Sequence, residues 1–168
     1  MVKKHLLAGA AAAIVALLIV FVALRFMVSE EARIRRRFST AASAFNVNGA
    51  DSGLEALRIL RSLRELMADP CLIDLPDVSF SRDYPLRELA TYITHFRAQF
   101  VRMRISFHNI DVHLIDEKHA ECTLTALLSG VTRTNRRVLE AREVKVRLRK
   151  VDGRWLFSEI EAVEVLRR

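Results

Sequence analysis

From Val101 the chain reads VRMRISFHNIDVHL, ending at Leu114, and from Val144 it reads VKVRLRKVDGRWLF, ending at Phe157. In the first stretch Val101, Met103, Ile105 and Phe107 alternate with Arg102, Arg104, Ser106 and His108. A period of two marks a strand with one buried and one wet face. The phase then slips by one residue, and Ile110, Val112 and Leu114 carry the apolar set onward. A slip that keeps the apolar side inward predicts a β-bulge near His108-Asn109 and a bent strand. In the second stretch Val144, Val146 and Leu148 alternate with Lys145, Arg147 and Arg149. Asp152-Gly153 is a strong two-residue hairpin signal, because such turns need positive φ at their centre. The expected order is a turn at Asp116–His119, a strand from Ala120 to about Leu128, a loop over Gly130–Arg137, and a last strand from Arg154 to Val165.

Upstream the period becomes helical. Ile34, Phe38, Ala41, Ala42 and Phe45 predict an amphipathic helix from 29 to about 46, broken by Asn46, Asn48 and Gly49. Ser52 with Glu55 forms a capping-box pattern. Leu54, Leu57, Leu60, Leu63 and Met67 then make the apolar stripe of a second helix, with Arg58, Arg61 and Arg64 on another face and Asp69-Pro70 as its stop. Residues 71 to 84 read as a connector with one short strand near Cys71–Ile73. Pro85 suits the first turn of a third helix, whose stripe is Leu86, Leu89, Ile93 and Phe96. Helices followed by long antiparallel strands make an α+β domain, with three helices on one face of a curved sheet.

The N-terminus has a different character. Leu6 to Leu24 contains no charge and no proline, and at ~1.5 Å per residue it spans roughly 28 Å, the thickness of a bilayer's hydrocarbon core. The only small-x-small cleavage pattern of note, Ala8-Gly9-Ala10, precedes the apolar core, and no cysteine lies near its end, so an uncleaved anchor is expected rather than a signal peptide or lipoprotein. The divisions read from sequence are a basic tail over 1–5, a transmembrane anchor over 6–28 and the α+β domain over 29–168. The short basic tail predicts an inside N-terminus with the domain outside the cytoplasm, periplasmic in a Gram-negative cell; Arg25, Arg33, Arg35, Arg36 and Arg37 count the other way, though long domains translocate largely regardless of charge.

The chain carries +7, of which Lys3, Lys4 and Arg25 flank the apolar run, leaving the domain mildly basic. Scattered charge with two tyrosines and one tryptophan does not make a nucleic-acid surface. Cys122 alternates with Leu124 and Ala126 and reads as a core thiol rather than half of a disulfide with Cys71. The five glycines are not spaced to cradle a phosphate, and no nucleophilic triad or dinucleotide fingerprint is present, so no cofactor is expected.

The element order, the bent strand after the third helix and the ending Asp152-Gly153-Arg154-Trp155-Leu156-Phe157 resemble the nuclear-transport-factor-2-like superfamily, also called the SnoaL-like or cystatin-like cone. The resemblance covers roughly residues 30–166 and is one of architecture and closing hairpin, without a catalytic motif. It implies a cone that in some members houses isomerase, dehydratase or cyclase chemistry and in others serves binding and assembly. Membrane-anchored members include assembly subunits of type IV secretion systems and proteins associated with lipid-import complexes, and this layout looks like theirs. Such a fold sets an expectation only.

Within that frame Phe38, Phe45, Tyr92, Phe96, Phe107, Trp155 and Phe157 are the expected cone lining. Arg102, Arg104, Lys145, Arg147 and Arg149 lie on the opposite sheet face, which would be a partner surface for an acidic protein or a second copy if the two strands are neighbours. His108, Asp111 and His113 read as solvated polar residues rather than a metal set, since ligands need convergent geometry. Glu159 is the sharpest candidate for chemistry. Unbroken alternation after the hairpin would send it, and then Glu161, into the apolar cone, where a desolvated carboxyl could act as a general acid or base. A second bulge near Ser158 would swing Glu159 out and Ile160 in, and the cost of burying an unpaired charge favours that arrangement. The expected function is a membrane-anchored, non-catalytic binding or assembly module of a cell-envelope complex, acting through a protein partner or homodimer. The alternatives are a cone holding an apolar small molecule or lipid, and a lyase- or isomerase-type enzyme using Glu159 or Tyr92.

Overall fold

A computed structural model describes residues 29–48, 54–75 and 80–163 of the chain. The run from Leu6 to Leu24 and Ser52 lie outside them; the second helix starts at Glu55 with Leu54 as its N-cap and no side-chain capping bond, so the capping-box pattern does not set its start, and among the described residues no helix is long and apolar enough to cross a membrane. The chain divides into two compact units, Met1–Arg33 and Ile34–Arg168. In the first, Glu30 holds Arg33 at 2.7 Å. The second holds the sheet and its core.

Residues 29–45 are helical (α1), followed by β1 (Val47–Asn48), α2 (Glu55–Leu66), β2 (Met67–Leu75), β3 (Phe80–Tyr84), α3 (Leu86–Ala98), β4 (Phe100–Leu114), β5 (His119–Thr132), β6 (Arg137–Val151) and β7 (Arg154–Ala162). The strands form one seven-stranded sheet in the order β1-β4-β5-β6-β7-β2-β3, antiparallel except where β2 runs parallel to β7. The helices lie on one face. Ile34, Phe38, Ala41 and Phe45 of α1 share a core with Ile59, Leu63 and Leu66 of α2, Leu86 and Ala90 of α3, and Cys122, Leu124, Val146, Leu148, Trp155 and Phe157 of the sheet. The fold is α+β with a curved sheet and three helices, as the patterning implies.

Two of the sheet's irregularities fall where the pattern put them, while a further register shift between Phe100 and Arg102 makes Val101 an extra residue and leaves it 46% exposed rather than on the apolar side. The β4–β5 register shifts between His108 and Asp111, with Asn109 at φ 51°. An extra residue there keeps both Phe107 and Ile110 on the core side while bending the strand. Asp152 and Gly153 take positive φ (48° and 74°) and join Val151 to Arg154 across a two-residue turn. In β7 the register shifts again, so that Phe157 faces Leu148 but Glu159 faces Arg147, with Ser158 the extra residue.

Four local readings need correction. The second helix buries Ile59, Leu63 and Leu66, while Leu54 and Leu57 are 60% and 65% exposed. Its apolar residues admit two stripes, and the one packed brings Glu55 toward a buried arginine of α3. That helix ends at Leu66 rather than at Asp69-Pro70, which lies inside β2 in a cis peptide, within the interruption of the β2–β7 ladder where a proline costs no hydrogen bond. Residues 71–84 are therefore not a connector but mostly the two strands of a hairpin, Cys71 pairing with Tyr84. Asp69 accepts the N–H of Leu86 through Oδ1, securing the start of α3 beside Pro85. Finally, Gly130 marks no loop. It sits in β5 because β4 approaches so closely that a Cβ would fall 2.6 Å from the carbonyl oxygen of Arg102, and the connection to β6 shrinks to 133–136.

Candidate functional site

The cone interior is built from aromatic rings. Phe38, projecting from α1, lies 5.0 Å from the ring of Phe157 on β7 and 5.5 Å from that of Phe107 on β4. Phe38, Phe157 and Trp155 are almost fully buried, and Phe45 joins the same cluster. Tyr92 and Phe96 are different. They stand on the outward side of α3, 55% and 43% exposed, Tyr92 meeting Tyr84 edge-to-face and Phe96 meeting Phe100 at a tilt instead of entering the cone. Leu86 and Ala90, with Leu89 and Ile93 partly buried, form the inner stripe of that helix. Cys71 and Cys122 are free thiols deep in the core, and burial pushes both up to about 12.

Glu159 stays out of this interior. The bulge at Ser158 aims it along the outer face, where both its oxygens accept from Nη1 of Arg147 at 2.8 and 2.9 Å. The hydroxyl of Ser158 donates to the carbonyl of Arg147, closing the bulge. Arg147 also reaches Glu121 at 3.3 Å, and these two carboxylates, Glu159 first, raise it above its already high ordinary range. Ile160, opposite Val146, takes the inward place.

The outer face does not gather the five basic residues. β5 lies between β4 and β6. Lys145, Arg147 and Arg149 face Thr123, Glu121 and His119 near one end of β5, whereas Arg102 and Arg104 face Val131 and Ser129 near the other. Lys145 and Arg147 also sit opposite Glu161 and Glu159, so that end is a band of alternating charge rather than a basic patch. The Arg102 end is uncompensated. An open groove of about 510 Å³ runs there, lined by Arg102, Arg104, Arg137 and Leu139 among others. His108 contacts Ser106 at 3.0 Å, while Asp111 and His113 face Thr123 and Glu121. Among the described residues no three His, Cys, Asp or Glu side chains cluster closely enough to hold a metal ion.

With this geometry the chain resembles many solved structures. The Kfla4162 protein of Kribbella flavida superposes with a TM-score of 0.68 at 14% identity, over 80% of this chain and 90% of that one. A protein assigned as a scytalone dehydratase from Novosphingobium aromaticivorans gives 0.65 at 15%, over 83% and 86%. The hexachlorocyclohexane dehydrochlorinase LinA-type3 of Novosphingobium barchaimii gives 0.63 at 12%, over 82% and 87%. The fold is the nuclear-transport-factor-2-like cone. At such identities the likeness establishes the fold alone. No protein-family model matches the sequence, and no curated protein matches it.

One structural residue of this cone escaped the sequence reading. Arg97, in the last turn of α3, is 4% exposed. It donates to the carbonyls of Ala44 and Asn46 at 2.9 and 3.2 Å, and pairs with Glu55 at 2.5 Å. One guanidinium thus satisfies the C-terminal carbonyls of α1 and ties the first turn of α2 to α3. Asn46 in turn accepts the N–H of Ile105 through Oδ1. The signal was faint: an arginine close to the apolar stripe of α3, with a carboxylate far upstream.

Proposed function

We propose that the chain is a non-catalytic binding or assembly module of the cell envelope, held at the cytoplasmic membrane by Leu6–Leu24 with its cone on the extracytoplasmic side. The cone serves as a packed scaffold and the outer surfaces do the work, meeting a protein partner or a second copy. The observation that carries the non-catalytic part is the interior itself. Where an acid–base enzyme needs a titratable group, Phe38 stands between Phe107 and Phe157, and Glu159 is turned out to Arg147. Among the described residues the buried charged side chains are Glu30, paired to Arg33 in the N-terminal unit, and the structural Arg97. The anchor rests on the charge-free length of the run.

A second reading has its own support. Ile105, Phe107, Val112, Val144 and Ile160 face inward yet are only partly buried, so the sheet retains apolar surface that a lipid or other apolar molecule would cover. Native mass spectrometry of the full-length protein, extracted from membranes in mild detergent, separates the two. The assembly reading expects no co-purified uncharged apolar molecule and a mass that reports a partner or a dimer. A stoichiometric apolar adduct on a monomer replaces it with the second. Full-length protein that leaves the membrane in an alkaline carbonate wash overturns the anchor.

A further inference from the structure

The outer end of β4–β5–β6 presents a second kind of surface, independent of the cone and of the anchor. Arg102 faces Val131 on β5, and Val131 faces Arg137 on β6, so the two arginines share one row across three strands. At ~4.8 Å per strand their Cα atoms lie about 10 Å apart, within reach of two long side chains closing on one group. The next row is Arg104, Ser129 and Leu139. Arg104 therefore stands beside Arg102 on the same face, and Leu139, 74% exposed, stands beside Arg137. All three arginines are exposed, line the same open groove of about 510 Å³, and form no ion pair among the described residues. The nearest acid along β6, Glu140, faces Leu128 in the alternate row, whose side packs on the buried Val47, Phe100 and Met103. This contrasts with Arg147 in the same sheet, which two carboxylates neutralise.

We propose that this groove binds the phosphate group of an amphiphile, the three guanidinium groups taking the phosphate and the exposed Leu139 with Val131 taking the first carbons of its apolar chain. Each guanidinium is a planar fork that fits phosphate oxygens bidentately, and three forks match three peripheral oxygens better than the two of a carboxylate. Three uncompensated cations at one place raise the local concentration of anions. An exposed leucine in the adjoining row gives the site one apolar side. Gly130 has a part in this shape, because only a residue without Cβ lets β4 close on β5 beneath the arginines.

The test uses the full-length protein in zwitterionic nanodiscs, titrated calorimetrically with hexyl phosphate, inorganic phosphate and hexanol. Hexyl phosphate should bind, inorganic phosphate should bind more weakly, and hexanol should not bind. Arg137→Gln should weaken hexyl phosphate about tenfold, the loss of one charge-assisted contact. Leu139→Ser should weaken hexyl phosphate but leave inorganic phosphate unchanged. Arg149→Gln, outside the groove, should change nothing. All three positions are exposed, and unchanged thermal unfolding verifies that each variant folds; Arg137→Lys, which keeps the charge and loses the fork, serves if Arg137→Gln does not fold and should also bind less tightly. Equal affinity for inorganic and hexyl phosphate removes the amphiphile. Absence of binding by both phosphates, or an Arg137 variant that binds as the parent does, overturns the site.

Discussion

Removing the ring of Phe38 tests whether the cone is a scaffold or a container. Phe38 is 2% exposed and Phe157 3%, their rings 5.0 Å apart at 50°. Truncating a buried phenylalanine to alanine costs about 3–5 kcal/mol, the sum of lost transfer and the cavity left behind. The ring pair adds about 0.5–1.5 kcal/mol that neither area captures alone. Phe38→Ala and Phe157→Ala should therefore each cost about 3–5 kcal/mol, a large share of the ~5–15 kcal/mol that holds a typical domain. Their effects should also fail to add, because each removes the other's partner. Phe38→Leu and Phe157→Leu keep the double variant folded, so the coupling can be measured in a complete cycle. Urea unfolding of the full-length protein in mild non-ionic detergent reads this directly, with Trp155, the single tryptophan and 2% exposed, as the fluorescent reporter. A Phe38→Ala cost below about 1 kcal/mol, or strict additivity in the cycle, would refute the packed interior and move the ring to the wall of an open cavity.

Glu159→Gln should cost only about 0.5–1 kcal/mol, because its partner Arg147 is 47% exposed, and the cost should shrink in molar salt, measured by the same unfolding assay. Arg97→Met should cost about 3–5 kcal/mol by leaving the largely buried Glu55 without its cation, and adding Glu55→Gln should recover part of that loss. Cys71 and Cys122 should resist thiol reagents at pH ~8 until the protein unfolds, since their thiols sit at about 12 instead of about 9. With the folded value raised, the neutral thiols contribute stability that is fully present below about pH 9 and is lost as pH climbs toward 12, so unfolding midpoints should fall over that window in the parent and fall less in Cys71→Ala.

What the sequence made legible was whatever depended on neighbours along the chain. The phase slip at His108-Asn109 and the Asp152-Gly153 turn are local devices, and each is found where the pattern put it. The inward set of β6, and of β7 as far as Phe157, follows from alternation counted outward from that turn. The rest depended on neighbours across the sheet. Nothing near Gly130 says that Arg102 will approach it, so a glycine that permits close contact reads as a loop. Nothing near Pro70 says that the β2–β7 ladder is interrupted there, so a proline in a strand reads as a stop. The basic residues of β4 and β6 make one patch only if those strands are neighbours, and β5 lies between them. The groove's third arginine, Arg137, ends a stretch whose pattern reads as a loop, and only the strand register sets it beside Arg102.

The bulges at Asn109 and Ser158 decide which side chains enter the interior of this cone. Each adds one residue to a strand whose plain alternation would have reversed the facing of every later side chain in that strand. In β4 the extra residue keeps Ile110, Val112 and Leu114 on the core side after the bend. In β7 the same device acts on a carboxylate. Were Ser158 in register, Glu159 would lie over Val146 among apolar side chains, and its charge would demand either a buried partner or a proton. With Ser158 extruded and bonded to the Arg147 carbonyl, the same carboxylate finds a guanidinium at 2.8 Å in the next strand, and an isoleucine takes the interior place. The cost of desolvating a charge thus selects the bulge, the bulge supplies the curvature that a closing sheet needs, and the interior left behind is filled by Phe38 from the opposite layer. The Glu159 carboxylate is consequently held on the outer face beside Arg147, and among the described residues of the cone the buried charge is left to Arg97 with its partner Glu55.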